Sequence, residues 1–563
     1  MHSRVHSLPA ARALAASLLT AALLFPARVL PAQAVAGAGD DAIPLSRGGF
    51  RYLVSGLWND YDQVFSPNAS GGGARRGPLL GALAMESAGV GLLPRLAEAQ
   101  NQLRTLTGEN GYAMSLGRLD ASGEVRQSIA PIGLEYGATR RLSFRVLVPY
   151  AESRDVTQLL LNRVGTGANV GLNPALLGST AATSAASNTT LVGQLDQARS
   201  ALSAEITRCA DTMATECDAI RANPQAAQTL VTRTQTVRDA VVTVYGTTAS
   251  RGAPFVPLTG SAAQTNVAGT LGGLRTDFAK YGITSIAEGA QPSAATRVLG
   301  PGGMPFIGTD SSMGVGYERL GNTRRAGIGD IDLTASFLLY DTFGADQARR
   351  LQAATRGVRT MVSGGWRFGT AGADRTEDAF DVPIGEGANA VLVRSTTDLV
   401  WSRRLWMSAT VRAAKPMSDH MAVVLPYRTI ETTFANPVEV GDAVRTLGMR
   451  TDIEVAPRIS FGDFFGVSGA YIMRRWGEDH YDTGNSFESR PLMAEFTVPS
   501  RTLQAAAVGV TFSTLASYAR RRSRIAAEVM YTHTVPISAS GGVVPAVMTD
   551  RLELRVYTGF PRR

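Results

Sequence analysis

The stretch Leu552-Glu553-Leu554-Arg555-Val556-Tyr557 alternates apolar side chains with charged or polar ones, residue by residue. A period of two places successive side chains on opposite faces of a β-strand. One face of this strand is therefore apolar, and the other carries charges of both signs. The core of a soluble β-sandwich would not accept those charges. The pattern is typical of a membrane barrel, whose outer face meets lipid and whose inner face is polar.

The same alternation recurs along the chain. Further segments with one apolar and one polar face are 142–150, 330–339, 358–368, 447–455 and 524–531. Aromatic side chains gather near the ends of these segments, as the interfacial girdles of a membrane barrel require. The aromatic residues are Tyr150, Tyr340, Trp366, Phe368, Trp401, Trp406, Phe464, Phe465, Tyr518 and Tyr531.

The alternation predicts about twelve strands, an even number as in bacterial single-chain barrels. They start near Phe50, Glu124, Leu142, Ile328, Arg356, Val391, Leu405, Thr446, Phe465, Thr502, Arg522 and Asp550. With the N-terminus in the periplasm, the connections on that side are mostly tight: 138–141, 343–355, 402–404, 458–464 and 515–521. The connections on the other side are longer: 66–122, 155–327, 370–390, 416–445, 477–500 and 537–547. This asymmetry is typical of outer-membrane barrels.

We therefore predict an all-β transmembrane fold, an antiparallel up-and-down β-barrel with a long helical insert between strands 3 and 4. Residues 1–34 have the features of a cleaved signal peptide, with a short apolar run after Arg12 and a small-x-small site at Ala32-Gln33-Ala34. The predicted organisation continues with strands 1–3 and a long external loop in 35–154, the insert in 155–327 and strands 4–12 in 328–563. The expected location is the bacterial outer membrane.

The insert is too long to be a bare loop, so it should have a structure of its own. Apolar residues recur at helical spacing in 191–208 and 226–245, which predicts an α-hairpin, and 79–106 also has helical character. The small-residue stretches 180–185 and 260–271 look like linkers. The hairpin either caps the barrel mouth or forms a plug or receptor surface, and both interpretations stay open.

Cys209 and Cys217 lie near the predicted hairpin turn. One continuous helix would hold their Cα atoms roughly 12 Å apart at 1.5 Å per residue. That separation exceeds the limit of about 7 Å for a disulfide. Export makes a disulfide chemically possible, but a bridge requires a bend between the two residues. The alternative is a pair of unpaired thiols.

The formal net charge of +8 is carried almost wholly by arginine, and the arginines are scattered without interleaved aromatics, which argues against nucleic-acid binding. The expected partners are outer-membrane lipid, whose anionic headgroups suit a basic surface, the barrel assembly machinery and a small-molecule solute. The last strand resembles the closing strand of outer-membrane barrels, in which a terminal aromatic residue such as Phe560 assists assembly.

Fifteen charged side chains are expected to point into the lumen. They are Arg145, Asp330, Asp332, Arg359, Arg367, Arg394, Asp398, Arg450, Asp452, Glu454, Arg474, Arg524, Glu528, Glu553 and Arg555. They form either rings of charge that tune permeation or a ladder of ion pairs that fills a closed interior. The width of such a barrel allows both.

No catalytic or cofactor motif is found. The histidines lack metal-ligand spacing such as H-E-x-x-H, and the chain has no G-x-S-x-G elbow, P-loop or paired CxxC. Residues 478–485 could offer oxygen ligands to calcium, although a solvated acidic loop is favoured. A hydrolase embedded in the barrel would need a serine near His533. We expect no enzyme activity, cofactor or metal.

Two patches resemble a known family. Residues 132–137 (IGLEYG), 139–144 (TRRLSF) and 148–150 (VPY), with 327–333 (GIGDIDL), resemble the MetA-pathway-of-phenol-degradation family of outer-membrane barrels, which has a "YG-x-T-x-R-L" turn, a "VPY" strand end and a "GxGD" strand start. The resemblance implies a barrel that passes small hydrophobic or aromatic compounds. We therefore predict a passive channel. The alternative is a display or adhesion protein, with the barrel as anchor and the insert as the working part.

Overall fold

The structure is a computed structural model of the 563-residue chain. It describes residues 41–67, 74–93, 96–164, 167–176, 178–309, 321–343, 356–372, 380–402, 404–425, 440–484 and 493–559. The predicted signal peptide and Phe560 lie outside these residues. The chain forms two compact units. One comprises residues up to 82, 122–158 and 317–563, and the other comprises 83–121 and 159–316.

The first unit contains a barrel of twelve antiparallel strands that pair in sequence order and close on themselves. Its strands are β1 Phe50–Tyr61, β2 Leu119–Gly137, β3 Leu142–Leu161, β4 Thr323–Ile328 with Ile331–Asp341, β5 Gly357–Phe368, β6 Ala390–Val400, β7 Leu405–Pro416, β8 Arg450–Phe461, β9 Phe465–Trp476, β10 Arg501–Ser513, β11 Ala526–Gly541 and β12 Met548–Thr558. The ring closes where β1 pairs with β12, Val54 lying opposite Leu554. The predicted fold class is confirmed.

Strand β4 is interrupted, and the interruption falls in the "GxGD" patch. Its two segments pair with successive parts of β3: Ile328 lies opposite Tyr150, and Asp332 lies opposite Leu147. Gly329 and Asp330 stand between the segments, and the Gly329 N–H donates to the Pro149 carbonyl at 2.9 Å. The interruption frees the backbone around Asp330 from the regular ladder.

Outward and inward faces alternate along the strands as the sequence predicts. On β12, Leu552 and Leu554 are exposed on the lipid-facing side, while Glu553 and Arg555 are buried inside the barrel. Exposed aromatic residues lie near both ends of the barrel wall. Those near the external end include Trp58, Tyr150 and Phe368, and those near the periplasmic end include Tyr136, Tyr340, Trp401, Phe461, Phe465 and Phe512. An apolar outer belt between aromatic girdles is the surface of an outer-membrane barrel.

Several boundaries differ from the prediction. Strand β3 continues to Leu161 and β4 already begins at Thr323, so the predicted insert of 155–327 gives up residues at both ends. β8 starts at Arg450, because the preceding residues up to Thr446 belong to a separate sheet. In each case the alternation of apolar and polar residues continues beyond the end of the barrel strand. The period of two therefore does not show where the barrel strand begins or ends.

Short strands outside the barrel wall form two further sheets in the first unit. One has four strands, Asp419–Val424, Val440–Thr446, Asp479–Asp482 and Glu495–Val498. Its buried core includes Val423, Ala443 and Phe496. The other pairs Gln63–Ser66 with Arg75–Pro78 and Val544–Pro545. A short helix, α7, covers Leu515–Ala519 between β10 and β11.

The second unit is mainly helical. Its helices are α1 Leu96–Thr107, α2 Ala181–Arg208, α3 Asp218–Ala222, α4 Pro224–Tyr245, α5 Ala262–Ala279 and α6 Gly303–Thr309, with a two-stranded sheet of Val170–Leu172 and Phe255–Pro257. Helix α4 begins where the Asn223 side chain accepts from the Ala226 N–H at 2.9 Å and Pro224 fills the first turn. Among the described residues, no helix is long and apolar enough to cross a bilayer.

The predicted hairpin is present as α2 and α4, but the predicted linkers are wrong. Residues 181–185 belong to α2 and 262–271 to α5. Alanine is the strongest helix former, and Ser261 caps α5 by accepting from the Gln264 N–H at 3.2 Å. Of the predicted helical stretch 79–106, only the part from Leu96 onward is a described helix.

Cys209 and Cys217 are joined by a disulfide, with their Cα atoms 5.4 Å apart. Helix α2 ends at Arg208, and a 3₁₀ turn at Thr215–Cys217 brings the chain back. The segment between the cysteines supplies the bend that a bridge requires. Arg221 holds this loop by donating to the Thr212 and Ala214 carbonyls at 3.1 and 3.2 Å.

A charge placed on the outer face of the barrel should destabilise it. Val508 is 63% exposed on the lipid-facing side of β10, close to the middle of the strand. We expect Val508→Arg to lower the free energy of unfolding from lipid bilayers by about 2–4 kcal/mol, because the charge would enter hydrocarbon. Urea titration of the refolded protein measures this change. Val164→Arg, at an exposed position beyond the end of β3, is the control. An equal effect of both changes would contradict the assigned membrane face.

Candidate functional site: the barrel lumen

The buried charges in the periplasmic half of the lumen are paired. The Arg359 guanidinium on β5 donates to Asp398 on β6 at 2.6 Å, and the Ser408 hydroxyl on β7 donates to the same carboxylate at 2.7 Å. Asp398 has no exposed surface. Because an isolated buried charge is very costly, these contacts are what allow the carboxylate to lie inside the barrel.

A second cluster lines the wall at β12. Glu553 lies between Arg551 and Arg555 and contacts both. The Tyr557 hydroxyl donates to Glu528 on β11 at 2.6 Å, and the Arg51 guanidinium on β1 lies over the Tyr557 ring at 5.2 Å. The inward face of this wall is thus an arginine-rich network.

The segment before β1 crosses the lumen between these two clusters. Asp41 accepts from Arg555 on β12 at 3.2 Å, and the adjacent Ala42 N–H donates to Asp398 on β6 at 3.0 Å. In the strand order, β12 and β6 are six strands apart in either direction around a ring of twelve. They therefore face each other across the barrel, and residues 41 and 42 join opposite walls.

The Asp41 carboxylate lies among arginines from several strands of the barrel. Burial alone would raise the pKa of this carboxyl. Four arginines instead hold the pKa of Asp41 below its ordinary value: Arg555, Arg51, Arg458 and Arg359. They belong to β12, β1, β8 and β5. The carboxylate is therefore ionised at neutral pH and binds the crossing segment to the barrel.

The external half of the lumen is narrowed by the connection between β5 and β6. Asp330 accepts hydrogen bonds from three backbone N–H groups of this connection, those of Ala371 at 3.0 Å, Glu386 at 2.9 Å and Gly387 at 3.2 Å. The approach is close, since a Cβ on Gly385 would lie 2.9 Å from Asp330 Oδ2. The aspartate of the "GxGD" patch thus anchors a loop and does not present its charge to the lumen.

Glu386 fixes the same connection to the wall. Arg450 on β8 donates to Glu386 at 3.0 Å and to Asp479 at 2.9 Å. Arg367 on β5 forms two hydrogen bonds with Asp332 on β4, at 2.7 and 3.0 Å, and lies 4.0 Å from Glu386. The loop between β5 and β6 is thereby held to three strands of the barrel.

Cavities remain between these contacts. One has a volume of about 160 Å³ and lies in the external half, lined by residues of β3 to β9 and by Glu386. A smaller one of about 20 Å³ lies deeper, beside Asp41 and Glu135. Arg145 and Arg394 line both cavities. A third, of about 130 Å³, lies at the periplasmic end near Trp406 and Phe464.

The structure places thirteen of the predicted lumen residues on the inward face of strands β3 to β12, and most of them meet in the clusters above. Asp330 stands in the break of β4 as described. Arg524 does not belong to the set. It lies exposed in the turn before β11, which begins at Ala526. The period of two groups Arg524 with the inward-facing Glu528, but Arg524 lies before the start of β11.

Other lumen charges were not predicted. Arg51, Glu135, Arg412, Arg458, Arg501 and Arg551 lie inside the barrel on strands, and the period-two pattern of those strands would have identified them. Asp41, Asp381 and Glu386 come from connecting segments, and Asp479 begins a short strand outside the barrel wall. No periodic pattern marks these four, since their position depends on how each connection folds back.

Asp479 and His533, considered for a calcium site and for a hydrolase, both have charged partners in the structure. Asp479, in the segment considered for calcium, is bound to Arg450 at 2.9 Å and lies 3.6 Å from Arg501, so its carboxylate is engaged by arginines. His533, considered for a hydrolase, has Asp550 as its partner at 2.9 Å, and Tyr531 donates to the same carboxylate at 2.5 Å. This group lies on the exposed outer face of β11 and β12.

No protein-family model matches the chain, and no match is found among curated proteins. Among solved structures, an outer-membrane channel from Pseudomonas putida F1 is 9% identical, with 93% of this chain and 100% of that chain covered and a TM-score of 0.38. The toluene transporter TodX of Pseudomonas putida is 9% identical, with 91% and 90% covered and a TM-score of 0.25. A Pseudomonas aeruginosa FadL homologue is 6% identical, with 91% of each chain covered and a TM-score of 0.23.

Removing the loop anchor should loosen the β5–β6 connection. We expect Asp330→Ala to destabilise this connection by on the order of 3 kcal/mol, because three backbone N–H groups would lose a charged acceptor. Hydrogen–deuterium exchange of peptide 380–389 measures the change. Asp452→Ala is the control, since Asp452 carries the same charge in the lumen and forms an ion pair with Arg474 on β9. Unchanged exchange in Asp330→Ala would show that Asp330 does not hold the loop.

Proposed function

We propose that the protein is a passive outer-membrane channel for small molecules. The observation that carries this proposal is the lumen itself, in which two cavities share Arg145 and Arg394 as lining residues. A barrel stabilised only by a tightly packed interior would have no need of such space. Charged side chains around a water-accessible cavity are the means by which barrels select solutes.

Passage requires the crossing segment to move. Residues 41 and 42 are tied to opposite walls by a few polar contacts, and Ala42 and Leu45 are buried. The segment precedes β1 and is not part of the strand ladder, so it can leave without breaking the barrel. We infer a channel that is narrow at rest and widens when this segment is displaced.

The solute class is inferred from the sequence resemblance. The patches at 132–150 and 327–333 resemble the MetA-pathway-of-phenol-degradation barrels, which implies small hydrophobic or aromatic compounds. The proposed environment includes outer-membrane lipid around the apolar belt and the assembly machinery acting on the last strand. Export by a signal peptide in residues 1–34 remains a prediction.

A second function is favoured by one observation. The unit formed by 83–121 and 159–316 has its own buried core, including Leu195, Val241 and Phe278, and its own disulfide. A connecting loop needs neither. The unit could therefore bind an external partner while the barrel serves as anchor. The test is the adhesion of intact cells to surfaces. Substitutions of exposed helix residues in this unit that abolish adhesion and leave the conductance unchanged would support this alternative.

Single-channel recording of the refolded mature protein in a planar bilayer tests the proposal. We expect stable conductance steps that fall roughly twofold in Arg145→Gln, because Arg145 lines two of the lumen cavities. Arg324→Gln, whose side chain is 69% exposed on the outer side of β4, is the control and should conduct as the parent does. A folded, heat-modifiable protein without any steps would exclude an open pore.

Weakening the contact of the crossing segment should enlarge the pore. Asp398→Asn removes the charge that holds Arg359 and the Ala42 N–H. We expect larger conductance steps together with a loss of about 3–5 kcal/mol of stability, the usual effect of breaking a buried pair. Asp332→Asn breaks a comparable pair with Arg367 that does not touch the segment, and should not enlarge the steps. Identical recordings from both variants would argue against the occluding role.

A further inference from the structure

The short turns at the periplasmic end of the barrel carry a strong positive charge. Exposed arginines lie in four of the five turns: Arg140 and Arg141 between β2 and β3, Arg356 before β5, Arg404 between β6 and β7, and Arg521 and Arg522 between β10 and β11. These turns are spread around the strand order. The six residues therefore form a ring around the barrel, which we call the periplasmic arginine ring.

The charge of this ring is not neutralised within the protein. In the described part of the five turns, the only carboxylate is that of Asp463, and it accepts from Arg520 at 2.5 Å. None of the six guanidinium groups of the ring has a hydrogen-bond or ion-pair partner in the part of the chain that the structure describes. Their donors are therefore available to an anion outside the protein.

The outward-facing arginines at the external end of the wall differ in this respect. Arg126 on β2 forms an ion pair with Glu124 at 2.5 Å, and Arg324 on β4 forms one with Glu152 on β3 at 2.8 Å. Each of these two arginines has an acidic neighbour on the outer wall, whereas the periplasmic arginine ring has none. The asymmetry shows that the two ends of the barrel present different surfaces to the membrane.

Exposed aromatic side chains place the ring at the boundary of the membrane. Trp401 lies three residues before Arg404, Tyr136 lies four residues before Arg140, and both aromatic rings are exposed on the outer face. Aromatic girdles mark the level of the lipid headgroups. At about 3.3 Å per strand residue, the arginine Cα atoms lie within roughly 15 Å of this level. A long arginine side chain can therefore reach back to the headgroups.

We propose that the periplasmic arginine ring binds anionic glycerophospholipids of the periplasmic leaflet, with lipid phosphates against the guanidinium groups and acyl chains against the apolar belt. Guanidinium–phosphate hydrogen bonds are charge-assisted and frequently bidentate. Lipid surrounds the whole barrel, whereas an acidic protein would meet one side, so a ring favours lipid as the occupant. The assignment concerns the rim of the barrel and does not depend on passage through the lumen.

Quenching of tryptophan fluorescence by brominated lipids compares the two ends of the same barrel. Trp401 at the periplasmic girdle and Trp58 at the external girdle are 44% and 47% exposed, so they are matched reporters. Two variants each keep one of these residues and have phenylalanine at the other tryptophan positions. Each is refolded into phosphatidylcholine vesicles that contain a small fraction of brominated phosphatidylglycerol or, for comparison, of brominated phosphatidylcholine.

We expect phosphatidylglycerol to associate about fivefold more strongly than phosphatidylcholine at Trp401, and the two lipids to associate equally at Trp58. High salt should reduce the preference. Arg404→Gln should lower the preference at Trp401, and Arg404→Lys, which retains the charge, should keep it. Arg324→Gln is the matched control and should leave it unchanged, because Arg324 lies at the external end with an acidic partner of its own.

The parent protein provides a second measurement if a reporter variant fails to fold, as judged by heat-modifiability. The temperature at which the folded band disappears is measured in micelles with added phosphatidylglycerol or phosphatidylcholine. We expect only phosphatidylglycerol to raise this temperature, and a variant that combines Arg140→Gln, Arg141→Gln, Arg404→Gln and Arg522→Gln to lose the increase. Equal quenching of the two reporters by phosphatidylglycerol, a preference that is unchanged by Arg404→Gln, or an equal effect of both lipids on the parent would overturn the proposal.

Discussion

In the hydrocarbon core of a bilayer, no water is available to hydrogen-bond an unpaired strand edge, so a sheet that crosses it must close. The pairing of β1 with β12 meets this requirement, and the other features of the wall depend on it. Closure separates each strand into a face toward lipid and a face toward the lumen. Apolar residues such as Val508 and Leu554 occupy the first, and buried charged residues such as Glu553 and Arg555 occupy the second.

Confinement of so many charges has its own consequence. Buried ions need partners, and the lumen supplies them through cross-strand pairs such as Arg359 with Asp398 and Arg367 with Asp332. Connecting segments take part as well, with Asp41 reaching Arg555 and Glu386 reaching Arg450. Of the two alternatives considered for the lumen charges, the structure shows the ion pairs, and rings of charge that tune permeation stay a proposal. Ion pairs hold the occluding segments, and arginines such as Arg145 and Arg394 line the remaining cavity.

The sequence was sufficient to predict the features that arise from local periodicity. Alternation identified the twelve strands and most inward charges, because in a barrel wall the parity of a residue decides its face. The prediction was wrong at Arg524, because the alternation there extends beyond the start of the strand. It was also wrong at 262–271, where small residues form a helix and not a linker. It could not reveal that Asp330 anchors a loop, since its three partners lie about 40 to 60 residues away and come from the backbone. The crossing of residues 41 and 42 has no periodic signature either, because it depends on which walls face each other after closure.

The most direct test of this account is a cross-link between the crossing segment and the opposite wall. Ala42→Cys and Asp398→Cys are combined in a background with Cys209→Ser and Cys217→Ser, and single-channel conductance is recorded before and after oxidation. The account predicts that the disulfide forms in the folded protein, that oxidation lowers the conductance and that a reducing agent restores it. A folded barrel in which these cysteines do not react with each other, or in which the cross-link leaves the conductance unchanged, would contradict it.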